Sequence, residues 1–509
     1  MSESSKGSAN GYHGVTTSAA DVAVDVLFVP VTGPDDKLSD VAWIDGATRG
    51  EVGRARSSGE CLGRLFDVYA TPVTGDGSRA RRIALVGGGN PSERTPERWR
   101  RIGASCAYAA RRFKAGSCGV IVRGAEDAVM AAQHLADGFS APDFDGGVYK
   151  DARADVVPSA PSSVVVIAHG TDGTALSDAV RRGRVIGESA NFTRSLANEP
   201  ANVLTPEEFA NRVARAAAGV GLRVDVLEED RIAELGMRLF LSVSQGSALP
   251  PRLIVLRHEP EGAPASPVLA LVGKGITFDT GGVSIKPAEG MERMKDDMAG
   301  GAAVAGAMLA LARLRASHHV IGIIPTCENA IGGRASRPGD VVRGASGKTV
   351  EIINTDAEGR LILGDALWYA QQLGATHMVN VATLTGAIMV ALGRYVSGLF
   401  GQPDAWVETV RAAGERGGDR LWPMPIYEEA REQLRSEIAD MINSAGRPGG
   451  AVTAAAFLRE FAGDIPWAHL DIAGTAWAES KENYQPKGAT GVALRTLVAL
   501  GMTGGRRSS

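Results

Sequence analysis

The chain has few of the features that hold secreted or membrane proteins together. Its 509 residues include four cysteines, Cys61, Cys106, Cys118 and Cys327, and none of them forms a C-x-x-C pair. Neither a disulfide framework nor a thiolate zinc site is therefore indicated, and this usage fits the reduced cytosol. No apolar run is long enough to cross a membrane, and the polar residues 1–14 lack the apolar segment of a signal peptide. We therefore expect a cytoplasmic protein.

An excess of charge of one sign is also missing. The formal net charge is −4, and no basic block exceeds short pairs such as Arg111-Arg112. The sequence thus gives no electrostatic reason to expect binding to nucleic acid or to acidic membranes. A hydrophobic content of 44% and a charged content of 22% are typical of a soluble globular protein. The length exceeds one ordinary core and predicts two or three domains.

The chain is rich in short apolar runs that alternate with helical stretches. The helical stretches include GGAAVAGAMLALARLR and RLILGDALWYAQQLG, and the predicted strands include VLALVGKG, VIGIIPTCEN, TVEIIN, THMVNVATLTG and WAHLDIAG. Such alternation indicates an α/β fold with a mainly parallel sheet flanked by helices. Functional side chains in such sheets lie at the carboxyl ends of the strands. Upstream, Thr205 is expected to cap a helix that begins at Pro206.

Charged residues interrupt the apolar pattern in the segment IINTDAEGRLIL. There, Asp356, Glu358 and Arg360 alternate between two apolar runs. In an extended chain this spacing directs all three side chains to one side, and hence into one cavity. Carboxylates this close raise each other's pKa unless a cation lies between them. The alternative is a solvated loop with a capping aspartate. Asp365, farther along, is expected to be an ordinary helix residue.

A second group of charges follows the predicted strand VLALVGKG. Lys274, Asp279 and Lys286 lie in LVGKGITFDTGGVSIKP, and the pair Asp296 and Asp297 precedes a helix of small residues. A lysine that enters an apolar interior must find a partner or lose its proton. One aspartate of the pair could simply cap the helix. Together with the first group, we expect four carboxylates and two lysines at strand ends of one sheet.

Converging carboxylates without histidine favour one or two divalent cations. None of the eight histidines is placed like a ligand, and the absence of H-E-x-x-H excludes a thermolysin-like zinc site. A neutral lysine amine can also ligate a metal. Two metals that share a carboxylate can activate a water and polarise a carbonyl, which indicates a hydrolase.

Four segments carry a resemblance to a known family: SLANEPANVLTP, VGKGITFDTGGVSIKP, MKDDMAGGAAV and NTDAEGRL. With them the chain resembles the leucyl aminopeptidases, the hexameric di-zinc cytosolic aminopeptidases. The resemblance covers the chain from about Ser195 onward and is weaker before it, where the family carries a macro-like α/β domain. It implies a macro-like domain at 21–174, a linker helix at 175–198 and a catalytic zinc-exopeptidase domain at 199–503. The polar composition of the two ends predicts a disordered tail at 1–20 and a tail at 504–509.

The resemblance also implies a set of metal ligands. They are Lys274, Asp279, Asp297, Asp356 and Glu358, of which Asp279 and Glu358 would each bind both metals. The implied cofactors are two divalent cations per subunit, zinc or manganese, with magnesium as a further candidate. The implied partners are peptides with a free N-terminus and other copies of the chain in a homohexamer.

The remaining roles that the resemblance implies concern catalysis and specificity. Lys286 would polarise the scissile carbonyl, and Arg360 would hold a bicarbonate that assists proton transfer. An apolar pocket would favour N-terminal leucine and other apolar residues. The residues that line it would be Met294, Thr383, Leu384, Gly386 and Ala473. Asp296 is an acid where the family varies, and we expect it to face solvent.

Three alternatives have some support in the sequence. A nucleotide-binding or ADP-ribose-binding role rests on LVGGGNPSE and on the macro-like domain, since glycines after a strand can hold phosphate. DNA binding occurs in one branch of the family, although the chain lacks a basic stripe. A metal-dependent phosphatase would use a similar set of carboxylates, although a lysine ligand is uncharacteristic of one.

Overall fold

The computed structural model describes residues 11–151 and 160–505, which divide into two compact units. The first unit takes in the chain up to Asn191 together with Ser480–Lys487. The second takes in Phe192–Glu479 and the chain from Gly488 onward. Across the described ranges, no helix combines the length and the apolar character that a membrane crossing needs.

The first unit is an α/β layer structure. Its strands are β1 (Gly11–Val15), β2 (Val26–Val31), β3 (Val68–Pro72), β4 (Arg82–Gly87), β5 (Ser117–Ile121) and β6 (Ser163–Ile167). Its helices are α1 (Trp43–Ala47), α2 (Glu51–Ser57), α3 (Pro96–Arg112) and α4 (Ala128–Phe139). Helix α5 (Gly173–Asn198) follows, and its residues from Phe192 belong to the second unit.

The six strands pair in the order β1-β6-β5-β2-β4-β3, and β3 alone among them runs antiparallel to its neighbour. Alternate side chains of β2 enter different cores, because successive residues of a strand point to opposite faces. Val26 and Phe28 pack with α3 and α4, whereas Val29 and Val31 pack with α1 and α2. The first unit therefore has helices on both faces of its sheet.

Part of the predicted N-terminal tail is structured. The prediction of disorder over 1–20 is wrong for its second half, because Gly11–Val15 pairs in register with Ser163–Ile167 and thereby satisfies its backbone groups. Residues 1–10 of that predicted tail, and residues 506–509 of the predicted C-terminal tail, lie outside the described residues.

The second unit contains most of the chain. Its helices are α6 (Pro206–Ala218), α7 (Glu229–Glu234), α8 (Arg238–Ser244), α9 (Ala299–Arg313), α10 (Glu358–Gln372), α11 (Gly386–Leu392), α12 (Asp404–Gly417), α13 (Glu428–Glu432), α14 (Gly450–Ala462) and α15 (Leu494–Thr503). Helix α6 begins as predicted, with the Thr205 hydroxyl accepting a hydrogen bond from the Glu208 amide and Pro206 in the first position.

The strands of the second unit form one large sheet and two small ones. They are β7 (Arg223–Leu227), β8 (Arg252–His258), β9 (Val268–Gly273), β10 (Gly275–Asp279), β11 (His319–Asn329), β12 (Val341–Arg343), β13 (Thr349–Glu351), β14 (His377–Ala382), β15 (Ser397–Gln402), β16 (Leu421–Pro423), β17 (Met441–Ile442), β18 (Trp467–Asp471), β19 (Trp477–Ala478) and β20 (Gly488–Ala489).

The large sheet has nine strands in the order β16-β15-β18-β14-β9-β11-β8-β7, with β10 paired to β11. Most pairs are parallel, and the antiparallel exceptions are β15–β18, β11–β8 and β7–β8. Helix α10 packs on the face that carries Ala270 and Val272. Helix α9 packs on the opposite face, where Gly273 and Gly322 approach it closely. The predicted α/β class, a mainly parallel sheet flanked by helices, is confirmed.

Strand ends of the large sheet gather at one edge. Strand β9 ends just before Lys274, β10 ends at Asp279, and β14 ends just before Thr383. The expectation that all four carboxylates follow strands of one sheet is wrong. Strand β13, which precedes Asp356, belongs to a separate three-stranded sheet with β12 and β17, and Asp297 follows a 3₁₀ turn, Met291–Asp296.

Candidate metal centre

Lys274 is a buried lysine held between two carboxylates. Its side-chain nitrogen lies 2.8 Å from Asp297 Oδ1 and 2.8 Å from Glu358 Oε1, and it donates to the Thr383 carbonyl at 3.1 Å. Burial by itself would lower the pKa of this ammonium, but the charges of Asp297, Glu358 and Asp279 outweigh burial and raise it. The lysine has thus found partners and is charged in this arrangement.

A trio of carboxylates lies beside this lysine. Asp279, Asp356 and Glu358 each present an oxygen within 4.8 Å of the other two. Asp279 Oδ1 accepts hydrogen bonds from the Gly281 amide and from Asn329 Nδ2, both at 2.8 Å. Burial, followed by the charge of Glu358, raises the pKa of Asp279 to about 6. Such a crowd of acids is costly unless positive charge lies among them.

Lys286 supplies a second positive charge on the other side of the trio. Its Nζ lies 2.7 Å from Asp279 Oδ2 and also contacts Asp356 Oδ1. The chain returns to the site through Gly281 and Gly282, whose φ angles of +84° and +65° suit glycine. A Cβ on Gly281 would lie 2.9 Å from Asp356 Oδ1, so a side chain there would crowd the carboxylate.

Among the described residues, two buried carboxylate oxygens of this cluster have neither a hydrogen-bond partner nor an ion-pair partner. They are Asp297 Oδ2 and Glu358 Oε2. Burial raises the pKa of Asp297, whereas Lys274 and Lys286 overcome the effect of burial and lower the pKa of Glu358. Unpartnered buried oxygens are expensive, and hard divalent cations take carboxylate oxygens as ligands. The residues present therefore fit a divalent cation.

The backbone geometry behind the cluster differs from the sequence prediction. We expected Asp356, Glu358 and Arg360 in an extended chain, and this is wrong, because α10 begins at Glu358. Asp356 lies in the preceding turn, and the two charged helical residues occupy the first turn of α10. The N-terminus of a helix favours a negative charge such as that of Glu358. The sequence brought Asp356 and Glu358 together correctly, as the structure places their oxygens close to each other, but for the wrong geometric reason.

Arg360 is a buried cation with unused hydrogen-bonding capacity. It is 7% exposed, and its Nη1 donates to the Asn443 carbonyl at 2.8 Å, while its Nε has no partner in the described part of the chain. Burial lowers the pKa of Arg360 to about 10, although nearby carboxylates oppose this effect. A buried guanidinium with an unused N–H can donate a hydrogen bond to a planar anion.

The predicted pocket residues lie on three segments. Met294 lies in the turn Met291–Asp296, and Thr383, Leu384 and Gly386 lie between β14 and the start of α11. Ala473 follows β18. Thr383 Oγ1 donates to Asp297 Oδ1 at 2.7 Å, which joins this loop to the carboxylate cluster.

Asp471 connects two of these segments. It accepts hydrogen bonds from the amides of Leu384 and Ala473, at 3.2 and 3.3 Å, and from the Thr385 hydroxyl at 2.7 Å. Burial raises the pKa of Asp471 to about 6, although these donors favour the ionised form. The structure thus brings Leu384 and Ala473 together through one buried side chain.

Sequence reasoning missed three residues that support the centre. Asn329 and Asp471 are the last residues of the apolar strands β11 and β18, so the strand-end signal that identified Asp279 could have identified them. Asn443 holds the carbonyl that Arg360 binds, and its side chain also accepts from the Ile353 amide. It follows a two-residue strand, and nothing in the sequence marks it.

Two predictions about acids near the centre are wrong. Asp296 was expected to face solvent, but it is 7% exposed and pairs with Arg293 Nη2 at 3.3 Å. Asp365 lies in a helix as expected, in α10, but it is not an ordinary helix residue, because it is fully buried. It accepts from the Phe240 amide at 3.0 Å and from the Ala345 amide at 2.9 Å. Burial of an acid is tolerated here because donors surround it.

Two family models match the chain. The catalytic-domain model of the cytosol aminopeptidase family matches residues 191–498, and its N-terminal-domain model matches residues 26–152. A probable cytosol aminopeptidase of Solibacter usitatus (strain Ellin6076) is 45% identical over 448 residues, covering 88% of this chain and 92% of that protein. One of Koribacter versatilis (strain Ellin345) is 42% identical over 509 residues, covering 96% and 98%.

Solved structures with the same fold include a tomato leucine aminopeptidase mutant. It has a TM-score of 0.85 and 32% sequence identity, and the match covers 98% of each chain. The bottromycin maturation enzyme BotP in complex with Mn has a TM-score of 0.81 and 35% identity, covering 95% of this chain and 100% of that one.

Proposed function

This chain belongs to the cytosol aminopeptidase family and is a metal-dependent aminopeptidase, and from that premise we propose that it releases leucine and other apolar residues from the free N-termini of peptides. The observation that carries the proposal is the carboxylate trio of Asp279, Asp356 and Glu358. Beside it lie the unpartnered buried oxygens of Asp297 and Glu358.

We propose that five side chains hold two divalent cations, either zinc, manganese or magnesium. They are Lys274, Asp279, Asp297, Asp356 and Glu358. When bound, the cations would supply a water acidic enough to attack an amide near neutral pH. Lys274 is charged between Asp297 and Glu358, so it would release a proton on becoming a ligand.

Lys286 would act on the scissile carbonyl. Its ammonium lies at the cluster, 2.7 Å from Asp279 Oδ2, and its side chain is 20% exposed, so a substrate can reach it. Negative charge develops on the carbonyl oxygen during attack, and a cation held in place beforehand stabilises that charge. The contacts with Asp279 and Asp356 would hold the ammonium in place before the substrate arrives.

Arg360 would hold a bicarbonate that assists proton transfer from the nucleophilic water. The unpartnered Nε and the fixed guanidinium support this role, because a planar fork matches a planar anion. Lys274 lies between Glu358 and Asp297. Asp297 would contact the free N-terminal amine of the substrate. That contact would explain why the enzyme acts on unblocked chain ends.

The apolar preference would come from the pocket formed by Met294, Thr383, Leu384, Gly386 and Ala473. We further propose that residues 199–503 form the catalytic domain, that residues 21–174 form the N-terminal domain and that residues 175–198 link the two. The protein would work in the cytoplasm as a homohexamer.

The substrate test uses leucine p-nitroanilide and its N-acetylated analogue. With added Mn²⁺ or Zn²⁺ we expect release of p-nitroaniline from the free-amine substrate and none from the blocked one, measured by absorbance. Glu358→Ala serves as the inactive control, because it removes a proposed ligand. Equal hydrolysis of the acetylated substrate would show that the free amine is not recognised.

A further inference from the structure

The residues proposed to line the pocket come from segments that are far apart in the chain. Met294 lies in the turn Met291–Asp296, Gly386 begins α11, and Ala473 follows β18. The shape of the pocket therefore depends on how these three segments are held together. The inference below rests on the proposed function, since it takes this pocket as the one that receives the N-terminal side chain.

One carboxylate connects all three segments. Glu479 Oε1 contacts Nη1 of Arg293 and Nη1 of Arg394. Arg293 belongs to the turn that carries Met294, and Arg394 is the second residue after α11. Glu479 lies immediately after β19, six residues beyond Ala473. These three charged side chains are partly exposed, so the cluster lies toward the surface rather than in the core.

The backbone also brings two of these segments into close contact. A Cβ on Gly474 would lie 2.3 Å from the carbonyl oxygen of Gly393, which is closer than any real side chain could be. Gly474 follows Ala473, and Gly393 precedes Arg394. The segment after β18 and the end of α11 therefore meet directly, and the ion pairs of Glu479 close the same junction from outside.

Trp477 contacts the third segment, which is the turn Met291–Asp296. The Arg293 guanidinium lies 5.1 Å from the centre of its ring, and Lys295 Nζ lies 5.8 Å from it. Cations at these distances from an indole ring are attracted by it. Lys295 also donates to the Asn198 carbonyl at 2.6 Å. Two cations from one turn thus contact a single ring of β19.

The geometry of the turn links this contact to Met294. A 3₁₀ helix has three residues per turn, so successive side chains are about 120° apart and residues three apart eclipse. The ion pair between Arg293 and Asp296 follows that spacing. Since Arg293 and Lys295 both face Trp477, the residue between them, Met294, is directed to the opposite side. Contacts on both sides of Met294 therefore tie its backbone to the indole ring.

We propose that Trp477 and Glu479 are positioning residues that set the width of the side-chain pocket, and thereby the preference for a large over a small apolar residue at the substrate N-terminus. They act through Met294 and through the segments of Gly386 and Ala473. Metal binding does not depend on them, because Lys274 and Thr383 hold the Asp297 carboxylate independently.

The test compares kcat/KM for leucine p-nitroanilide and alanine p-nitroanilide with manganese-loaded protein. Trp477→Leu is expected to lower the leucine-to-alanine ratio by about tenfold, within the range that a few methylenes control in an apolar pocket. Trp477→Phe, which keeps an aromatic face, should retain most of the ratio. Glu479→Gln should lower it by about threefold, because partly exposed ion pairs contribute little each.

Matched controls and a binding measurement separate positioning from general damage. Trp422→Leu changes a tryptophan that is 61% exposed, and Glu415→Gln removes an ion pair of α12 with Arg411. Both should keep the wild-type ratio. Calorimetric titration should give the same Mn²⁺ affinity for all variants, and Trp477→Leu should lose affinity for free L-leucine relative to L-alanine.

The outcomes distinguish this inference from the proposed function. A wild type that cleaves neither substrate contradicts the proposed function, and the inference falls with it. A wild type that prefers leucine, with a folded Trp477→Leu variant that keeps the ratio or loses both activities equally, overturns the inference alone. Should Trp477→Leu fail to fold, an unchanged ratio in Glu479→Gln overturns the inference, and a lowered ratio supports it.

Discussion

At the scale of single residues, each of two lysines at the centre lies between two carboxylates. Lys274 separates Asp297 from Glu358, and Lys286 separates Asp279 from Asp356. Each lysine thus relieves the repulsion of two acids that burial has made expensive. Because the two lysines have different partners and different exposure, they should fulfil different roles, one within the metal site and one toward the substrate.

Lys286→Ala is expected to impair catalysis far more than metal binding. We expect kcat to fall by about 10²–10³-fold, the usual effect of removing one group that stabilises an oxyanion. The number of manganese ions per chain should stay at the wild-type value, since the carboxylates remain. Steady-state kinetics and elemental analysis of the purified variant measure the two quantities.

A lysine in another ion pair provides the control. Lys348 Nζ lies 2.6 Å from Glu460 Oε2, away from the carboxylate trio, and Lys348→Ala should keep the wild-type kcat. If Lys286→Ala kept a kcat within about threefold of the wild type, Lys286 could not be the group that stabilises the oxyanion.

Asp365 is expected to make stability depend on pH. Burial raises its pKa from 3.8 to about 7, against the effect of the amides that it accepts from. Below about pH 4 the carboxyl is neutral in both the folded and the unfolded chain. Between pH 4 and 7 the unfolded chain ionises first, so each rise in pH favours unfolding. The shift contributes on the order of 4 kcal/mol to the free energy of unfolding. This contribution is present at low pH and is lost by about pH 7.

The variant Asp365→Asn cannot titrate and should escape this loss. We expect the wild-type Tm to fall more than the Tm of the variant when the pH is raised from 4.5 to 8, measured by calorimetry. Asp404→Asn changes an exposed carboxyl at the start of α12 and should follow the wild type. Parallel Tm curves for the wild type and Asp365→Asn would contradict the assigned cause.

At the scale of elements, the small residues of α9 allow it to lie against the sheet. A Cβ on Gly300 would lie 2.2 Å from the carbonyl oxygen of Val381 in β14, and one on Gly273 would lie 2.6 Å from the carbonyl oxygen of Gly300. The helix that follows Asp297 can therefore approach the strands only without side chains at these positions. This approach fixes Asp297 relative to Lys274.

Gly300→Ala is expected to destabilise the second unit by about 1–3 kcal/mol, because the added methyl overpacks a tight helix-to-strand contact. Helix propensity alone would predict the opposite sign, since alanine favours helices over glycine. Denaturant unfolding measures the change. Gly333→Ala, where a Cβ meets nothing within 4 Å, is the control. A Gly300→Ala variant more stable than the wild type would refute the close-packing argument.

Elements were predictable where one local signal dominated. Apolar runs such as those of β9, β14 and β18 predicted their strands, and Thr205-Pro206 predicted the start of α6. The start of α10 was misjudged because the charged spacing fits a strand as well as the first turn of a helix. Strand β1 was missed because its burial depends on pairing with β6, about 150 residues away.

At the scale of the whole molecule, the candidate site was largely predictable and its supports were not. Lys274, Asp279, Asp356 and Glu358 stand out because charges interrupt apolar runs. The role of Asn443 depends on a contact between distant segments, which a single sequence does not display. The position of the residues proposed to line the pocket likewise depends on ion pairs between segments that are remote in the chain.

The proposed homohexamer predicts the size of the particle. Native mass spectrometry of the purified protein should give a main species with six times the mass of one chain. The same sample, diluted to the concentration used in assays, should retain that species if the assembly is the working form. A main species of one chain would contradict the proposed assembly.

The most direct measurement is an anomalous-scattering map from crystals of this protein soaked in excess Mn²⁺. The account predicts two peaks per chain, both among the carboxylates of Asp279, Asp297, Asp356 and Glu358. A map without a peak at these side chains, while manganese is bound elsewhere or nowhere, would contradict the central claim that they form a metal centre.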